Sequence, residues 1–289
     1  MKHLTDNILE FVKAYWLFLL PHYIFSRITY IITRTKNPFV PKLIKLYISF
    51  FKVNMKECIN ESPNDYETFC DFFTRELKPG IHKIDKTKKS IVSSCDGTIT
   101  QYGDIDNNTI LQVKGKRISI HDLMHEKQKL NDVFTDGSFM TIYLSPKDYH
   151  RVHMPYSGKL ISTSHIPGRL FSVAKHAVNK INNLYARNER LSCMFKNEDL
   201  TFAVIFIAAI NVSSIEVRWK GEVSPPYPKK TITTNYNKKK IILDKGEELG
   251  MFKSGSTVIV LFDKNVKLLS SIKKGQKIRV GQKIGSYLN

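Results

Sequence analysis

From about residue 90 onward, short apolar runs alternate with clusters of glycine, proline, asparagine and lysine. This pattern is typical of β-strands separated by turns. The runs are SIVSSCDGTITQYG, GSFMTIYLSP, GKLISTSHIPG, LTFAVIFIAAINVSSIEVRW, KKIILDKG and STVIVLF. Because strand follows strand without long helices between them, we predict a mainly antiparallel sheet rather than a doubly wound one. The end of the chain, IKKGQKIRVGQKIGSYL, predicts a β-hairpin with Gly275, Gly281 and Gly285 at its bends.

The first 60 residues have a helical pattern instead. In PKLIKLYISFFKVNMK, polar side chains recur in steps of three and four, which places them on one stripe of a helix. The polar positions are Lys42, Lys45, Ser49, Lys52 and Lys56, and the apolar positions opposite them are Leu43, Ile44, Tyr47, Ile48, Phe51 and Met55. Such a helix packs either on the protein's own core or in the headgroup layer of an anionic membrane. The aromatic-rich stretch from Trp16 to Ile32, which Pro21 interrupts, favours the membrane.

We therefore predict the α+β class, with N-terminal amphipathic helices in residues 1–60 and a mainly antiparallel β-sheet body in residues 61–289. Residues 61–90 predict a short helix followed by a turn at Pro79–Gly80. The apolar run from Trp16 to Leu20 is shorter than the ~20 residues that a membrane span needs, and no small-residue cleavage site follows it.

Composition narrows the function only slightly. The chain has 289 residues and a formal net charge of +19, which favours an anionic partner such as nucleic acid, an acidic membrane or a phosphate-bearing substrate. An AT-rich genome produces the same lysine, asparagine and isoleucine bias, so charge alone assigns no function. The sequence contains no P-loop, GxGxxG motif, zinc finger or aromatic-basic nucleic-acid motif. The cysteines, which we predict to be reduced thiols in a cytosolic setting, are Cys58, Cys70, Cys95 and Cys193.

The segment YLSPKDYHRVHMP, residues 143–155, is the first candidate for chemistry. Its two histidines, His150 and His153, titrate near neutral pH when unperturbed, so the pair suggests acid–base work. A polar strand end with two surface histidines explains the pattern equally well. No third ligand stands at a spacing that would indicate a metal site.

Two further motifs contain a carboxylate and a hydroxyl group. Asp96–Gly97 lies between alternating apolar residues, and this pattern by itself favours a structural hairpin turn. Ser256 follows Gly255, but no second glycine completes a hydrolase elbow. Asp96, His153 and Ser256 occur in an order that builds catalytic triads elsewhere, although the sequence does not show that they meet in space.

Arginines in HIPGRLFSV and NLYARNERL are candidates for binding a phosphate group. They are Arg169, Arg187 and Arg190. For any one of them, a solvated surface position is the better explanation.

Taken together, these segments resemble the bacterial, membrane-associated phosphatidylserine decarboxylases. The resemblance rests on DGTITQYG (96–103), YLSPKDYHRVHMP (143–155), PGRLFSV (167–173), NLYARNER (183–190), SIEVRWKG (214–221) and KGEELGMFKSGSTVIVLF (245–262). With the amphipathic N-terminus, it covers essentially the whole chain. The family usually has Leu-Gly-Ser-Thr at its processing site, and here Ser254 replaces the leucine. Because Gly255–Ser256 is intact, this departure bears on the rate of processing more than on its occurrence.

The resemblance implies a pyruvoyl enzyme that decarboxylates phosphatidylserine to phosphatidylethanolamine. Ser256 would attack Gly255, cut the chain into residues 1–255 and 256–289, and become the covalent pyruvoyl group that condenses with the substrate amine. His153 would act as the base of this self-cleavage and Asp96 would orient it. The two fragments would remain a heterodimer, with higher oligomers also possible.

The resemblance also implies roles beyond self-cleavage. His150 would assist decarboxylation or protonate the product, and Phe171 and Arg169 would contact the substrate. Residues 1–60 would hold residues 61–289, the catalytic domain, on the cytoplasmic side of the cell membrane as a peripheral protein. No metal is implied.

Other functions remain open from the residues alone. A serine hydrolase that uses Asp96, His153 and Ser256 on lipid esters would leave the chain uncut. A non-catalytic barrel of the biotinyl or lipoyl type is suggested by GQKIRVGQKIG, but no lysine in it is marked for modification. A nucleic-acid binder is supported only by charge.

Overall fold

The computed structural model describes residues 22–125, 132–210, 214–253 and 256–288. Within these ranges the chain is mostly antiparallel β-sheet with a few short helices. The helices are α1 (His22–Arg34), α2 (Val40–Phe51), α3 (Phe69–Phe73), α4 (Ile120–Met124), α5 (Lys175–Lys180) and α6 (Leu184–Arg187). Single turns of 3-10 helix occur at Met55–Glu57, Pro63–Asp65 and Asp132–Phe134.

All the runs that the sequence predicts to be strands contain one or more strands, and further strands lie outside those runs. In chain order they are β1 (Ser90–Val92), β2 (Gly97–Asp104), β3 (Thr109–Val113), β4 (Lys116–Ser119), β5 (Ser138–Leu144), β6 (Arg151–His153), β7 (Gly158–Ile166), β8 (Arg190–Lys196), β9 (Thr201–Ile207), β10 (Ile215–Val217), β11 (Gly221–Ser224), β12 (Ile232–Asn235), β13 (Ile242–Leu243), β14 (Glu248–Phe252), β15 (Ser256–Phe262), β16 (Val266–Leu268), β17 (Lys277–Ile278) and β18 (Lys283–Tyr287).

The largest sheet has the order β12-β7-β8-β9-β15-β5-β2-β17, with β13 also paired to β7. Its central strand is β15, which is antiparallel to β5 on one side and to β9 on the other. All seven residues of β15 are buried. An unbroken apolar, β-branched sequence of this length fits a strand that is covered on both faces.

The predicted C-terminal hairpin is wrong. β17 pairs with β2 in the large sheet, whereas β18 pairs with β1 and β16 in a separate three-stranded sheet. A turn over residues 279–282 carries the chain from one sheet to the other, and Gly281 occupies a left-handed conformation there (φ +82°). The repeated Gly-Gln-Lys-Ile unit therefore marks two turns between sheets.

The hairpin reading of Asp96–Gly97 is also wrong. β1 and β2, which flank this pair, belong to different sheets. Asp96 lies in a bend that leads into β2. A Cβ atom on Gly97 would come 2.5 Å from the carbonyl oxygen of Tyr143, so glycine is needed here because β5 approaches closely.

Helix α2 has two apolar surfaces. The stripe that the sequence pattern assigned to the membrane packs mainly on the protein, where Val40 and Ile44 are buried in a cluster with Tyr66 and Phe72. Leu43, which belongs to the predicted stripe, is exposed instead, together with the neighbouring Leu46 (68% exposed) and Phe50 (76% exposed). The predicted run from Trp16 to Leu20 lies outside the described residues.

Candidate functional site

Ser256 begins β15 at one end of the large sheet. Its side chain is fully buried, and its Oγ has no hydrogen-bond partner among the described residues. Ser256 is in register with Leu144, the last residue of β5. The loop after Leu144 leads to both predicted histidines, so strand pairing brings the serine and the histidine segment to the same end of the sheet. Ser254 and Gly255 lie outside the described residues.

His150 is buried in the loop between β5 and β6. Its Nδ1 lies 2.8 Å from the carbonyl oxygen of Asp148, which makes Nδ1 the protonated nitrogen and leaves Nε2 as an acceptor. Nε2 has no partner among the described residues. Burial, with a smaller effect from the Arg75 cation, lowers the pKa of His150 to about 3, so the ring is neutral at physiological pH. The ring packs 4.1 Å from that of Phe73 in α3.

His153 ends β6 and is held at both ring nitrogens. Its Nδ1 lies 2.9 Å from the carbonyl oxygen of Gly246, and its Nε2 lies 3.3 Å from the hydroxyl of Tyr149. The carbonyl can only accept, so Nδ1 donates to it and Nε2 accepts from Tyr149. Burial lowers the pKa of His153, and the bond to Gly246 opposes this shift only in part. His153 is therefore a neutral base. Its acceptor nitrogen, Nε2, faces the Tyr149 hydroxyl, which another O–H donor can replace.

Asp96 accepts a 2.8 Å hydrogen bond from the backbone N–H of Val280. The ring of His82 lies beside it, with Nε2 2.9 Å from Asp96 Oδ1. The angle at this contact does not meet hydrogen-bond geometry, so the interaction is an ion pair when His82 is protonated. The structure thus gives Asp96 a different histidine from the one that the sequence predicts.

The three predicted triad residues share one end of the molecule without direct bonds between them. The backbone N–H of His153 donates to the carbonyl of Ser94, two residues before Asp96. The side chain of His153 is nevertheless bonded to Gly246 and Tyr149, as given above. Assembly of a triad would require exchange of these hydrogen bonds.

A cavity of about 390 Å³ opens between the helices α1–α3 and this end of the sheet. Aromatic side chains from α2 and α3 line it together with Tyr143, Leu144 and Lys253. Leu144, which lines the cavity, is the strand partner of Ser256, so the cavity lies one strand away from the serine. Lys253 Nζ is 2.7 Å from Glu216 Oε2. None of the cavity's aromatic residues has a sequence signal that separates it from ordinary core.

The two residues predicted to contact the substrate, Phe171 and Arg169, differ in burial. Phe171 is fully buried, and its backbone N–H donates a hydrogen bond to the side-chain oxygen of Asn188. Residues 172–174, which directly follow Phe171, line the cavity. Arg169 is exposed.

Arg190 is neither a surface residue nor a phosphate ligand. Its buried guanidinium donates four hydrogen bonds to backbone carbonyls, and burial lowers its pKa to about 10. These bonds tie β8 to α4 and α6. Arg187 lies over the ring of Phe171, 5.5 Å from its centroid.

Among the described residues, no group of three or more histidine, cysteine, aspartate or glutamate side chains is placed to hold a metal ion. The four cysteines are buried free thiols.

A family model for phosphatidylserine decarboxylase matches residues 69–286. The phosphatidylserine decarboxylase proenzyme of Alkalilimnicola ehrlichii is 44% identical over 276 residues, which cover 93% of this chain and 96% of the relative. The proenzyme of the same name from Francisella tularensis subsp. novicida is 44% identical over 265 residues, 91% of each chain. That from Methylococcus capsulatus is 40% identical over 271 residues, 93% of this chain and 94% of the relative.

Proposed function

Since this chain belongs to the phosphatidylserine decarboxylase family, we propose that it converts phosphatidylserine to phosphatidylethanolamine and CO₂ after cutting itself between Gly255 and Ser256. The relatives are named proenzymes, which fits a chain that matures by cleavage. The observation that carries the proposal is the buried Oγ of Ser256, which has no hydrogen-bond partner among the described residues. A buried hydroxyl without a partner is costly, and a catalytic role is one physical explanation for keeping such a group.

In the self-cleavage step, Ser256 Oγ attacks the carbonyl carbon of Gly255. The C–N peptide bond breaks, the nitrogen takes up a proton, and an ester replaces the amide. Loss of the Cα proton of residue 256 then expels the carboxylate of Gly255 and leaves dehydroalanine. Addition of water releases ammonia and leaves a pyruvoyl group at the new N-terminus. A glycine before the serine offers the attacking oxygen an unhindered carbonyl.

His153 is the proposed base for this step. Its Nδ1–H is fixed on Gly246, so its free lone pair is on Nε2. The lowered pKa keeps that lone pair available at neutral pH. To reach Ser256, Nε2 has to exchange the Tyr149 hydroxyl for the seryl hydroxyl, a replacement of one O–H donor by another. Asp96 is the proposed orienting residue for this base.

The pyruvoyl group, once formed, supplies an electrophilic ketone for the amine of the substrate and a sink for the electrons released with CO₂. Ser256 is buried at the end of a central strand, so a ketone at this position would be shielded from water and fixed in direction. The geometry of the site therefore fits this covalent cofactor.

His150 is proposed to act in decarboxylation. Its Nε2 carries no proton in the free protein, because the pKa is about 3 and Nδ1 holds the only ring proton. Of the two roles expected from the sequence, assisting the step as an acceptor therefore fits better than donating a resident proton. Nε2 can return a proton only after it has taken one from the substrate.

The substrate headgroup is proposed to enter the cavity one strand away from Ser256. Its walls combine aromatic rings for the apolar part of a lipid with hydroxyl groups and Lys253 for the polar part. In the described part of the chain, no helix has both the length and the apolar character needed to cross a bilayer. We propose that the exposed apolar stripes of α1 and α2 instead rest in the headgroup layer of a cell membrane, on its cytoplasmic side. The exposed side chains are Ile24, Phe25, Ile28, Ile31, Ile32, Phe39, Leu43, Leu46 and Phe50.

The test is intact-mass analysis of purified protein together with CO₂ release from phosphatidylserine vesicles. We expect two fragments, residues 1–255 and 256–289, with the smaller lighter by one NH₃ than its sequence requires. Ser256→Ala should remain one chain and be inactive, while the neighbouring Ser254→Ala should still be cut. An active protein that remains one continuous chain with an intact serine would refute the proposal and favour a serine hydrolase.

A further inference from the structure

His82 lies beside Asp96 and His153, two residues of the proposed self-cleavage site, although no motif in the sequence marks it. Its side chain is 12% exposed, and its Nε2 is 2.9 Å from Asp96 Oδ1. Its ring centroid is 6.3 Å from that of His153 and 5.1 Å from that of Tyr149. His82 therefore contacts the proposed orienting carboxylate and faces the proposed base at once.

The segment that carries His82 is anchored on both sides of the site. Ile84 packs on Gly246 and Gly281, where an added Cβ would come within 3 Å of its side chain. The backbone N–H of Asp85 donates 2.9 Å to the carbonyl of Gly281. Gly246 is the residue whose carbonyl fixes His153, and Gly281 follows the residue whose N–H fixes Asp96. The position of His82 is thus tied to the same backbone that orients both proposed site residues.

The other charges around His153 are already offset. Glu248, which faces His153 across the β6–β14 pair, is 2.9 Å from Arg151, and Arg151 also reaches Glu76 at 3.1 Å. Arg279, on the far side of Asp96, is paired with Glu57 at 2.8 Å.

The Asp96 carboxylate is the remaining anion near His153, and His82 is the group placed to offset it. Tyr149 stays protonated because burial raises its pKa.

We propose that His82 is a positioning residue for self-cleavage, which offsets the charge of Asp96 at His153 and so sets the pH range in which His153 is an effective base. This inference rests on the proposed function. When His82 is protonated, the His82–Asp96 pair has little net field at His153. When the cation is absent, the carboxylate alone favours protonation of His153, and a protonated His153 cannot accept the seryl proton.

The charge of His82 and its distance from His153 give the sign and size of the expected change in the pKa of His153. Removal of the cation raises the pKa of His153. In a plot of cleavage rate against pH, the acid limb, where the rate falls as the pH is lowered, therefore moves to higher pH. A unit charge about 6 Å away in a partly screened site changes a pKa by roughly half to one unit. The midpoint of the limb should shift by the same amount.

The experiment follows cleavage of freshly synthesised full-length precursor over a series of pH values, with fragments separated on a denaturing gel. His82→Gln keeps an N–H that can reach Asp96 but is never charged. His82→Arg keeps a permanent cation suited to a carboxylate. His121→Gln is the matched control, since His121 is an exposed histidine 3.8 Å from its own aspartate, Asp122.

We expect the midpoint for His82→Gln to lie about half to one pH unit above that of the wild type. We expect His82→Arg and His121→Gln to retain the wild-type midpoint. The midpoint does not depend on how much precursor folds, so a merely structural role of His82 would lower the amount of cleavage without moving it. Wild-type cleavage with an unmoved midpoint in His82→Gln overturns the role of His82 alone. A wild-type precursor that is never cut, or a Ser256→Ala precursor that is cut, overturns the proposed self-cleavage and this role with it.

Discussion

The buried neutral state of His150 has a measurable consequence for stability in acid. In the unfolded chain a histidine takes up a proton near pH 6.5, whereas in the folded protein His150 does so only near pH 3. Between these values the unfolded state binds one more proton than the folded state, so stability is full above pH 6.5 and falls as the pH is lowered. Each pH unit costs about 1.4 kcal/mol. At pH 4.5, two units below 6.5, the loss from His150 is about 3 kcal/mol.

The test compares a Ser256→Ala chain, which should remain uncut, with the same chain carrying His150→Asn. The asparagine amide can keep the donated bond to the Asp148 carbonyl but does not titrate. Urea unfolding at pH 7 and at pH 4.5 gives the free energy of unfolding of each protein. We expect the loss between the two pH values to be smaller by about 3 kcal/mol in the double variant. His153 is present in both proteins, so its own contribution cancels in the comparison.

Any constant cost of the substitution also cancels, because only the change with pH is compared. If the two proteins lose equal stability between pH 7 and pH 4.5, His150 is not held neutral by burial. The acceptor role proposed for its Nε2 would then lose its physical basis.

Two further outcomes follow from the placement of β15 and α2. After cleavage, the fragments 1–255 and 256–289 should co-elute in gel filtration and separate only in denaturant, because β15 is paired along both edges. Separation of the fragments in native buffer would contradict this topology. Phe50→Glu should weaken co-sedimentation with anionic vesicles several-fold while self-cleavage and thermal stability stay unchanged, since the side chain is 76% exposed. The control is Ile242→Glu, a 61% exposed apolar position on β13 that should bind vesicles like the wild type. Equal binding by all three proteins would exclude α2 from the membrane contact.

Strands such as β5, β7, β9 and β15 could be predicted from the sequence because each depends on local information, whereas β3, β4 and β8 lie outside the predicted runs. Apolar, β-branched runs bounded by glycine, proline or asparagine have few alternatives to a buried strand. STVIVLF, for example, forms β15 over its full length. Pairing could not be predicted in the same way, since it depends on which distant strands share a sheet. Asp96–Gly97 and the C-terminal glycines both have strong turn chemistry, yet each turn joins two sheets.

The exposed apolar side of α2 was missed for a related reason. A helical pattern with lysines on one stripe shows that the remainder is apolar, but not which part of it meets other helices. Ile44 is buried because α3 and the Pro63–Asp65 turn happen to cover it, and Phe50 is left exposed. The membrane assignment of residues 1–60 and the division at 255/256 remain predictions.

Residues of the candidate site were found from the sequence only where a motif marks them. His150, His153 and Ser256 stand in segments with recognisable chemistry. His82 lies in the polar stretch KPGIHKID, where a surface loop is the ordinary reading, and its significance comes from Ile84 packing on two distant glycines.

Ser256 and Val280 connect the two expected fragments at the candidate site. Both residues belong to the segment that would become the smaller fragment, and each contacts the larger one: Ser256 through its pairing with Leu144, and Val280 through its N–H to Asp96. A cut at the first residue of a central strand removes one covalent bond but none of these contacts. The large fragment alone would therefore have an Asp96 without its backbone donor, and the small fragment alone would have no folded strand. Activity is accordingly expected only from the complex of both fragments, and the same pairing that buries Ser256 before cleavage would fix the new terminus afterwards.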